Sequence, residues 1–133
     1  MRGLNHITFA VSNMDRALEF YTRALGAKLL CRADKTCYLD LGGIWLALNC
    51  GPVTPPQGYT HLAFSIDDAD FQTWREHLLS LGVELRSDRE RHEAEGKSLY
   101  FTDPDGHLLE LHTKNRAQRV DYYRRTRTDM EFY

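Results

Sequence analysis

The sequence predicts an α+β protein built from two copies of a βαβββ module. Residues 5–11, Asn-His-Ile-Thr-Phe-Ala-Val, resemble residues 60–66, Thr-His-Leu-Ala-Phe-Ser-Ile, at a constant distance of 55 residues. In each copy an alternating, strand-like stretch precedes a segment whose apolar residues recur at helical spacing. A turn signal, Asp-Pro-Asp-Gly at 103–106, stands between two apolar runs and indicates a β-hairpin. Together these observations predict two equivalent modules in one chain.

Composition restricts the classes of protein to consider. The chain has 133 residues, 42% hydrophobic and 27% charged, which is ordinary for one globular domain. The formal net charge of −2 gives no indication of nucleic-acid binding. No apolar run reaches membrane-spanning length, and the N-terminus lacks the apolar region of a signal peptide. Three cysteines without a C-x-x-C pair are expected to be reduced thiols, so we expect a cytoplasmic protein.

The first module, residues 4–50, is expected to contain one helix and four strands. The alternating strand at residues 5–11 opens it, and apolar residues then recur at helical spacing between residues 15 and 25. Gly26 stands where a C-terminal helix cap belongs. The three remaining strands are predicted near residues 28–33, 36–41 and 44–49.

A linker with three prolines, residues 51–58, leads into the second module, residues 59–113. Its helix is predicted near residues 68–81, where Phe71, Trp74 and Leu78 form an apolar stripe. Its later strands are predicted near residues 84–87, 97–102 and 107–112. The tail, residues 114–133, is predicted to be helical, with most of its basic side chains solvated.

The repeat predicts a metal site from two histidines and one carboxylate. His6 and His61 occupy the same position of the repeat, and the second hairpin adds Glu110 on an apolar strand. A carboxylate there is costly unless a positive group meets it. The first-module counterpart of Glu110 is Ala47, so three ligands are supplied and coordination positions stay open. This set suits a divalent metal such as Mn²⁺ or Fe²⁺.

The motifs resemble those of the vicinal oxygen chelate superfamily, and within it the fosfomycin-resistance thiol transferases. The superfamily pattern is Asn5-His6-Ile7-Thr8, the triplet at residues 59–61, and the stretch from Tyr100-Phe101 to Glu110. The narrower likeness comes from Tyr38, the Gly-Ile-Trp at residues 43–45, the Tyr-Thr-His triplet and the Ser-x-Tyr-Phe at residues 98–101. The resemblance implies a homodimer whose paired modules come from different subunits. His6 of one chain would then meet His61 and Glu110 of the other.

The resemblance also implies roles for other side chains in opening the epoxide of fosfomycin. Thr8 lies two residues beyond His6 on the same strand face, and its hydroxyl is expected to donate to the epoxide oxygen as charge develops there. Its position equally fits a β-branched strand former. The candidate substrate-binding residues are Tyr38, Trp45, Tyr59, Thr60, Arg89, Ser98, Tyr100 and Arg119. Arginine suits this task because a guanidinium matches phosphonate oxygens in pairs.

The cosubstrate is expected to be a small-molecule thiol, because no Cys, Ser or Asp of the chain stands beside a base as an activated nucleophile. Glutathione-using relatives carry a potassium-binding loop, and residues 91–97 here keep Glu95 and Gly96 but lose its hydroxyl and amide ligands, which makes a potassium site doubtful. The Arg-Glu-Arg at residues 89–91 resembles the bacillithiol-using branch, although that branch often has Cys at the position of Thr8. Bacillithiol, L-cysteine and glutathione all stay open. The metal is expected to be Mn²⁺, with Mg²⁺ or another divalent ion as alternatives.

Three other functions are compatible with the same pattern. A related epoxide hydrolase would direct water with an extra carboxylate, which residues 42–46, Gly-Gly-Ile-Trp-Leu, do not supply. An extradiol dioxygenase would share the two histidines and the glutamate but is usually longer. A metal-free drug-binding protein of the same fold would have no use for these ligands. The thiol transferase is the first prediction and the hydrolase the second.

Overall fold

The computed structural model describes residues 2–55, 57–87 and 92–133, and the chain folds into two compact units. Unit 1 comprises Met1–Thr60 together with Thr102–His107. Unit 2 comprises His61–Phe101 together with Leu108–Tyr133. The turn that joins the two strands of the second hairpin therefore groups with unit 1. No helix in the described part of the chain is both long and apolar enough to cross a membrane.

Unit 1 has the predicted βαβββ order. Its elements are β1 (His6–Val11), α1 (Met14–Leu25), β2 (Lys28–Arg32), β3 (Thr36–Leu41) and β4 (Ile44–Cys50). The strands form one sheet in the order β1-β4-β3-β2, with β1 parallel to β4 and the other pairs antiparallel. Helix α1 carries the chain back so that β2 runs in the same direction as β1. The antiparallel pairs β2–β3 and β3–β4 then give β4 that direction too, so β4 can pair with β1 in parallel.

Helix α1 forms where its sequence signals place it. The side chain of Asn13 accepts a hydrogen bond of 3.0 Å from the backbone N–H of Arg16, and Gly26 ends the helix at φ 69°. The helix contacts β3 and β4 and buries one apolar face. The unit 1 core that results includes Ala17, Tyr21, Ala24, Leu39, Leu46 and Leu48. Alternation along β1 leaves His6 and Thr8 on the exposed face of the sheet.

Unit 2 repeats the arrangement with a smaller sheet and an added helix. Its elements are β5 (Leu62–Ser65), a 3₁₀ turn (Asp68–Asp70), α2 (Phe71–Ser80), a second 3₁₀ turn (Glu93–Glu95), β6 (Ser98–Thr102), β7 (Leu108–His112) and α3 (Arg116–Thr126). The strand order is β5-β7-β6, with β5 parallel to β7 as β1 is to β4. α3 starts with a capping box between Asn115 and Gln118. The prediction of an α+β fold with two modules is confirmed.

The strand predicted near residues 84–87 is wrong as far as the described residues extend. They form one isolated antiparallel bridge, in which the backbone N–H of Arg86 donates to the carbonyl of Tyr100 at 2.7 Å. The alternation there is short, with Val83 and Leu85 as its apolar members, and both stay half-buried. Too little apolar surface is buried to hold a full ladder beside β6.

The Asp-Pro-Asp-Gly turn is fixed largely by Asp103. Its carboxylate accepts from the backbone N–H groups of Asp105 and His107 at 3.0 and 2.8 Å, and Gly106 adopts the positive φ of 89° that the turn requires. The buried hydroxyl of Tyr21 donates to Asp103 at 2.8 Å. His107 stacks on Phe9, and its Nε2 lies 2.8 Å from a β1 carbonyl. The turn is therefore part of the unit 1 core.

Candidate metal and substrate site

A buried carboxylate beside a histidine forms the centre of unit 2. Glu110 lies in the middle of β7 with 4% of its surface exposed. Its Oε2 is 2.9 Å from Nε2 of His61, which directly precedes β5. Ala63 is the register partner of Glu110, and His61 stands two residues earlier on the same strand face. The parallel pairing of β5 and β7 thus holds the imidazole and the carboxylate together.

The other oxygen of Glu110 faces a serine and a second histidine. Ser98 Oγ donates to Oε1 of Glu110 at 2.5 Å and is 2.8 Å from Nδ1 of His112. The same Nδ1 is 3.4 Å from Oε1 of Glu110. A buried carboxylate is tolerated when donors satisfy its oxygens, and removing one such donor costs about 1–3 kcal/mol. Ser98 and His112 therefore supply the hydrogen-bond partners that a buried carboxylate at position 110 needs.

The C-terminal helix extends this group of polar side chains. Nη2 of Arg119, in the first turns of α3, lies 3.0 Å from Nε2 of His112 and donates to the backbone carbonyl of Glu95 at 2.7 Å. The hydroxyl of Tyr123 donates to the Glu95 side chain at 3.3 Å. The Glu95 segment and α3 are thus joined to β7 by hydrogen bonds within unit 2.

The donor atoms around Glu110 fit a divalent metal ion. An imidazole nitrogen and a carboxylate oxygen stand side by side, and Ser98 holds the second oxygen as the partners of ligating carboxylates do. No group of three His, Cys, Asp or Glu side chains able to hold a metal occurs within residues 2–55, 57–87 and 92–133. His61 and Glu110 are a pair in unit 2, and the third predicted ligand, His6, belongs to unit 1.

Unit 1 carries its own cluster of predicted site residues on the exposed sheet face. His6 is opposite Trp45 in the parallel pairing of β1 and β4, and their ring centroids are 4.7 Å apart. Trp45 is 38% exposed, and its ring meets that of Tyr38 edge-on, with 5.1 Å between ring centroids. Thr8 lies opposite Ala47, two residues along β1 from His6. A basic nitrogen, a hydroxyl and an aromatic wall therefore share one face.

The remaining predicted residues are dispersed. The ring of Tyr100 is buried and meets His61 edge-on, with 5.5 Å between centroids. Tyr59 is 64% exposed, and Thr60 is exposed beside it. Arg89 lies outside the described residues. The structure thus brings Ser98, Tyr100 and Arg119 to the surroundings of His61 and Glu110, while Tyr59 and Thr60 belong to unit 1.

One residue of the polar group, His112, was missed by the sequence prediction as a site candidate, and Glu95 was considered only as a retained residue of the potassium-binding loop. His112 shares the strand face of Glu110 by simple alternation, which was the available signal. Glu95 contributes its backbone carbonyl, and no side-chain pattern indicates such a role. Both become evident once β6, β7 and α3 are placed together in unit 2.

The buried cysteine of unit 1, Cys37, does not offer an activated nucleophile. Burial raises the pKa of the Cys37 thiol, and the nearby Cys31 adds to the effect while Arg32 opposes it. Cys37 is fully buried on the core side of β3, and Cys31 is exposed on β2. Cys50 lies 3.9 Å from the carbonyl of Ser12. A raised pKa reduces the thiolate fraction, which is the reactive form.

Comparison with known proteins gives a family model and full-length relatives. The model described as Glyoxalase/Bleomycin resistance protein/Dioxygenase superfamily matches residues 3–111. Metallothiol transferase FosB of Staphylococcus haemolyticus is 44% identical over 137 aligned residues, covering 100% of this chain and 99% of its own. Metallothiol transferase FosB of Shouchella clausii is 45% identical, covering 98% of this chain and 92% of its own.

Solved structures of fosfomycin resistance proteins have the same fold. FosX of Listeria monocytogenes in complex with Mn(II) and sulfate has a TM-score of 0.86 at 31% identity, covering 92% of this chain and 98% of its own. FosX of Mesorhizobium loti has a TM-score of 0.79 at 36% identity, covering 90% of this chain and 98% of its own. A glutamate-to-glutamine mutant of the Listeria protein was solved with Mn(II) and 1S,2S-dihydroxypropylphosphonic acid, at a TM-score of 0.86, 31% identity and coverage of 92% and 98%.

Proposed function

Since this chain belongs to the Glyoxalase/Bleomycin resistance protein/Dioxygenase superfamily and, within it, to the metallothiol transferases, we propose that it inactivates fosfomycin by transferring a small-molecule thiol to the epoxide. The observation that carries the proposal is the 44% identity to a metallothiol transferase over the whole chain. The buried pair of His61 and Glu110 supports it, because that reaction needs a metal and this pair presents two ligand atoms.

His6, His61 and Glu110 would hold the metal, and Mn²⁺ is the proposed ion. The Mn(II) in a FosX relative and the nitrogen and oxygen donors of unit 2 support this choice. When bound, the ion supplies a Lewis acid that stabilises negative charge on oxygen. We propose a homodimer in which His6 of one subunit meets His61 and Glu110 of the other, on the basis of the resemblance to the fosfomycin-resistance enzymes.

The protein's own side chains would bind and orient the two reactants. The Thr8 hydroxyl donates to the epoxide oxygen as the C–O bond breaks, and the phenol of Tyr100 lies beside His61 as a second donor. Arg119 and Arg89 neutralise the phosphonate, with Tyr59 and Thr60 as further polar contacts, whereas Ser98 donates its proton to Glu110 and acts through that carboxylate. Trp45 and Tyr38 form the aromatic wall for the epoxide methyl group.

The nucleophile comes from outside the chain. The thiolate sulfur bonds to an epoxide carbon, the C–O bond breaks, and the oxygen takes up a proton to become a hydroxyl. The proton lost by the thiol passes to solvent, so the reaction balances. Cys37 is a poor candidate for the nucleophile, because it is buried and its thiol has a raised pKa. We place the reaction in the cytoplasm, where small thiols are kept reduced.

Bacillithiol or L-cysteine is the proposed cosubstrate in preference to glutathione. The backbone carbonyl of Glu95 accepts from Arg119, and its side chain accepts from Tyr123. These oxygens belong to the loop that binds potassium in glutathione-using relatives, and here protein donors contact them. This arrangement supports a thiol branch without potassium.

The test incubates purified protein and Mn²⁺ with fosfomycin, and compares bacillithiol, L-cysteine, glutathione and no thiol by phosphorus NMR and mass spectrometry. We expect fosfomycin to disappear when thiol is added, with a product whose mass equals fosfomycin plus thiol. A variant at the exposed Asp121–Arg125 pair, Asp121→Asn, is the matched control and keeps full activity. Conversion to the diol at the same rate without thiol overturns the proposal.

An epoxide hydrolase is the second candidate. The diol phosphonate bound to a FosX relative favours it, because that compound is fosfomycin plus water. Residues 42–46, Gly-Gly-Ile-Trp-Leu, hold no acid for directing water, and Gly42 and Gly43 form a turn between β3 and β4. The product mass in the same assay separates the two reactions.

A further inference from the structure

We infer that His112 is a positioning residue for Glu110, held in a single tautomer by Arg119 from α3. The inference deepens the proposed function and rests on its metal site, since Glu110 is a proposed ligand. Its basis is a continuous row of hydrogen bonds in unit 2 that runs from Arg119 through His112 and Ser98 to Glu110.

The direction of each hydrogen bond follows from the chemistry of the end groups. Arg119 has N–H donors and no acceptor, so Nε2 of His112, 3.0 Å from Nη2, must present its lone pair. At the other ring nitrogen, the carboxylate oxygen Oε1 of Glu110 is an acceptor and lies 3.4 Å away. The ring therefore carries its proton on Nδ1.

Ser98 continues the same order of donor and acceptor toward Glu110. Nδ1–H of His112 donates to Ser98 Oγ at 2.8 Å, and the Ser98 hydroxyl donates to Oε1 of Glu110 at 2.5 Å. Every bond in the row points toward the carboxylate. Oε1 is thereby fixed, and Oε2 is left directed at His61, where the metal would bind.

The ring of His112 has little room to adopt another orientation. A Cβ atom added at Gly96 would come within 2.9 Å of Cε1 of His112 and 2.6 Å of the Lys114 side chain. Gly96 also has a φ of 87°, which side-chain-bearing residues rarely adopt. The close approach of this backbone and the Arg119 contact both hold the imidazole against β7.

Positioning partners of metal-ligating carboxylates change metal affinity by about 10- to 100-fold when removed. The row therefore gives α3 a role in metal binding, although α3 itself supplies no ligand in the proposed set. A purely structural role would attach α3 to the sheet and leave metal affinity unchanged. Those two roles make different predictions for the variants below.

The first experiment reads the tautomer directly in metal-free protein by two-dimensional ¹⁵N NMR of the histidine side chains. We expect His112 to have its proton on Nδ1 and an unprotonated Nε2. In Arg119→Met, which removes the donor, the signals should shift toward a mixture of tautomers. A proton on Nε2, or on both nitrogens, in the unaltered protein overturns the inference. This reading requires neither metal nor activity.

The second experiment measures Mn²⁺ affinity by calorimetry for two replacements of His112. In His112→Asn the amide nitrogen reaches the place of Nδ1 and still donates to Ser98, so affinity should stay within about threefold, whereas His112→Gln places its amide near Nε2 and should lose about 10-fold or more. Asn49→Ala, at the equivalent position of β4 in unit 1, is the matched control. Equal affinity for both His112 variants overturns the inference.

Failure of the inference is distinguishable from failure of the proposed function. Fosfomycin turnover by the unaltered protein tests the proposed function. The tautomer of His112 and the Mn²⁺ affinity of its variants test the row of hydrogen bonds from Arg119 to Glu110. If the His112 variants do not fold, the tautomer in the unaltered protein and in Arg119→Met decides the question. A protein with the Nδ1 proton that binds no Mn²⁺ contradicts the metal site and not the hydrogen-bond row.

Discussion

The two units build the same pair of parallel strands and place different chemistry on it. In unit 1, Thr8 of β1 is opposite Ala47 of β4, and in unit 2 the equivalent positions are Ala63 and Glu110. Ala47 and Glu110 are equally buried, each with 4% of its surface exposed. Equivalent positions that are equally buried therefore hold a methyl group in unit 1 and a carboxylate in unit 2.

The surroundings explain the difference. Next to Glu110, Ser98 and His112 provide hydrogen-bond donors, and Arg119 of α3 holds His112. The equivalent positions in unit 1 are Thr36 and Asn49, which face each other across β3 and β4. A repeat thus duplicates a backbone more readily than a polar network, because each buried charge needs several specific partners.

The largest expected effect is from removing the charge that distinguishes the units. Glu110→Gln keeps the shape of the side chain and removes a ligand charge, so Mn²⁺ affinity should fall by at least about 10²-fold and most turnover with it. Calorimetry and the thiol-transfer assay measure the two effects. Asp121→Asn, in the exposed Asp121–Arg125 pair of α3, is the control and should bind Mn²⁺ normally. Unchanged affinity in Glu110→Gln would remove Glu110 from the ligand set.

A smaller effect is expected at the position that unit 1 contributes. Thr8→Val keeps the β-branched shape and removes the hydroxyl, so turnover should fall by about 10²-fold if Thr8 donates to the developing oxyanion. Mn²⁺ affinity should be retained. Thr36→Val, on β3 of the same sheet, is the control and should turn over normally. Full activity in Thr8→Val would leave Thr8 as a strand-forming residue.

Stability should depend on the buried polar contact of unit 1. Tyr21→Phe removes the donor to Asp103 and should lower the free energy of unfolding by about 1–3 kcal/mol. Burial, and then the negative charge of Asp103, raise the pKa of Tyr21. Its contribution is therefore full below about pH 10, the ordinary tyrosine pKa, and declines as pH rises above it.

Denaturant unfolding at neutral and alkaline pH checks this expectation. The unaltered protein should lose stability above about pH 10 more steeply than Tyr21→Phe, which has no phenol to ionise. Tyr133→Phe is a suitable control, since that ring is fully exposed. The same alkaline slope in Tyr21→Phe and the unaltered protein would contradict the assignment.

The smallest effect concerns the two sides of the unit 1 sheet. Cys31 is exposed, while Cys37 is buried with a raised pKa, so iodoacetamide should modify Cys31 at least about 10-fold faster. Peptide mass spectrometry of the native protein gives both rates, and labelling in denaturant is the control. Equal rates in the native protein would mean that Cys37 is not enclosed in the core.

The sequence alone determined the local features whose causes are local. Helix α1 was predicted within one residue of its bounds, because the apolar spacing and Gly26 both act within a few residues. The repeat predicted a site shared by His6, His61 and Glu110, and the structure places His61 beside Glu110 within unit 2. The strand predicted near residues 84–87 of the second module was wrong, because a short alternation of apolar residues does not form a strand without burial against a neighbouring one.

The tertiary structure alone decided which partners each polar group has. Asp103 could be recognised as a turn residue, but its bond to Tyr21 joins positions 82 residues apart. The row from Arg119 to Glu110 likewise depends on how β6, β7 and α3 pack, and no spacing in the chain encodes that. Period and turn chemistry set the face on which a side chain lies, whereas hydrogen-bond partners are set by the packing of distant segments.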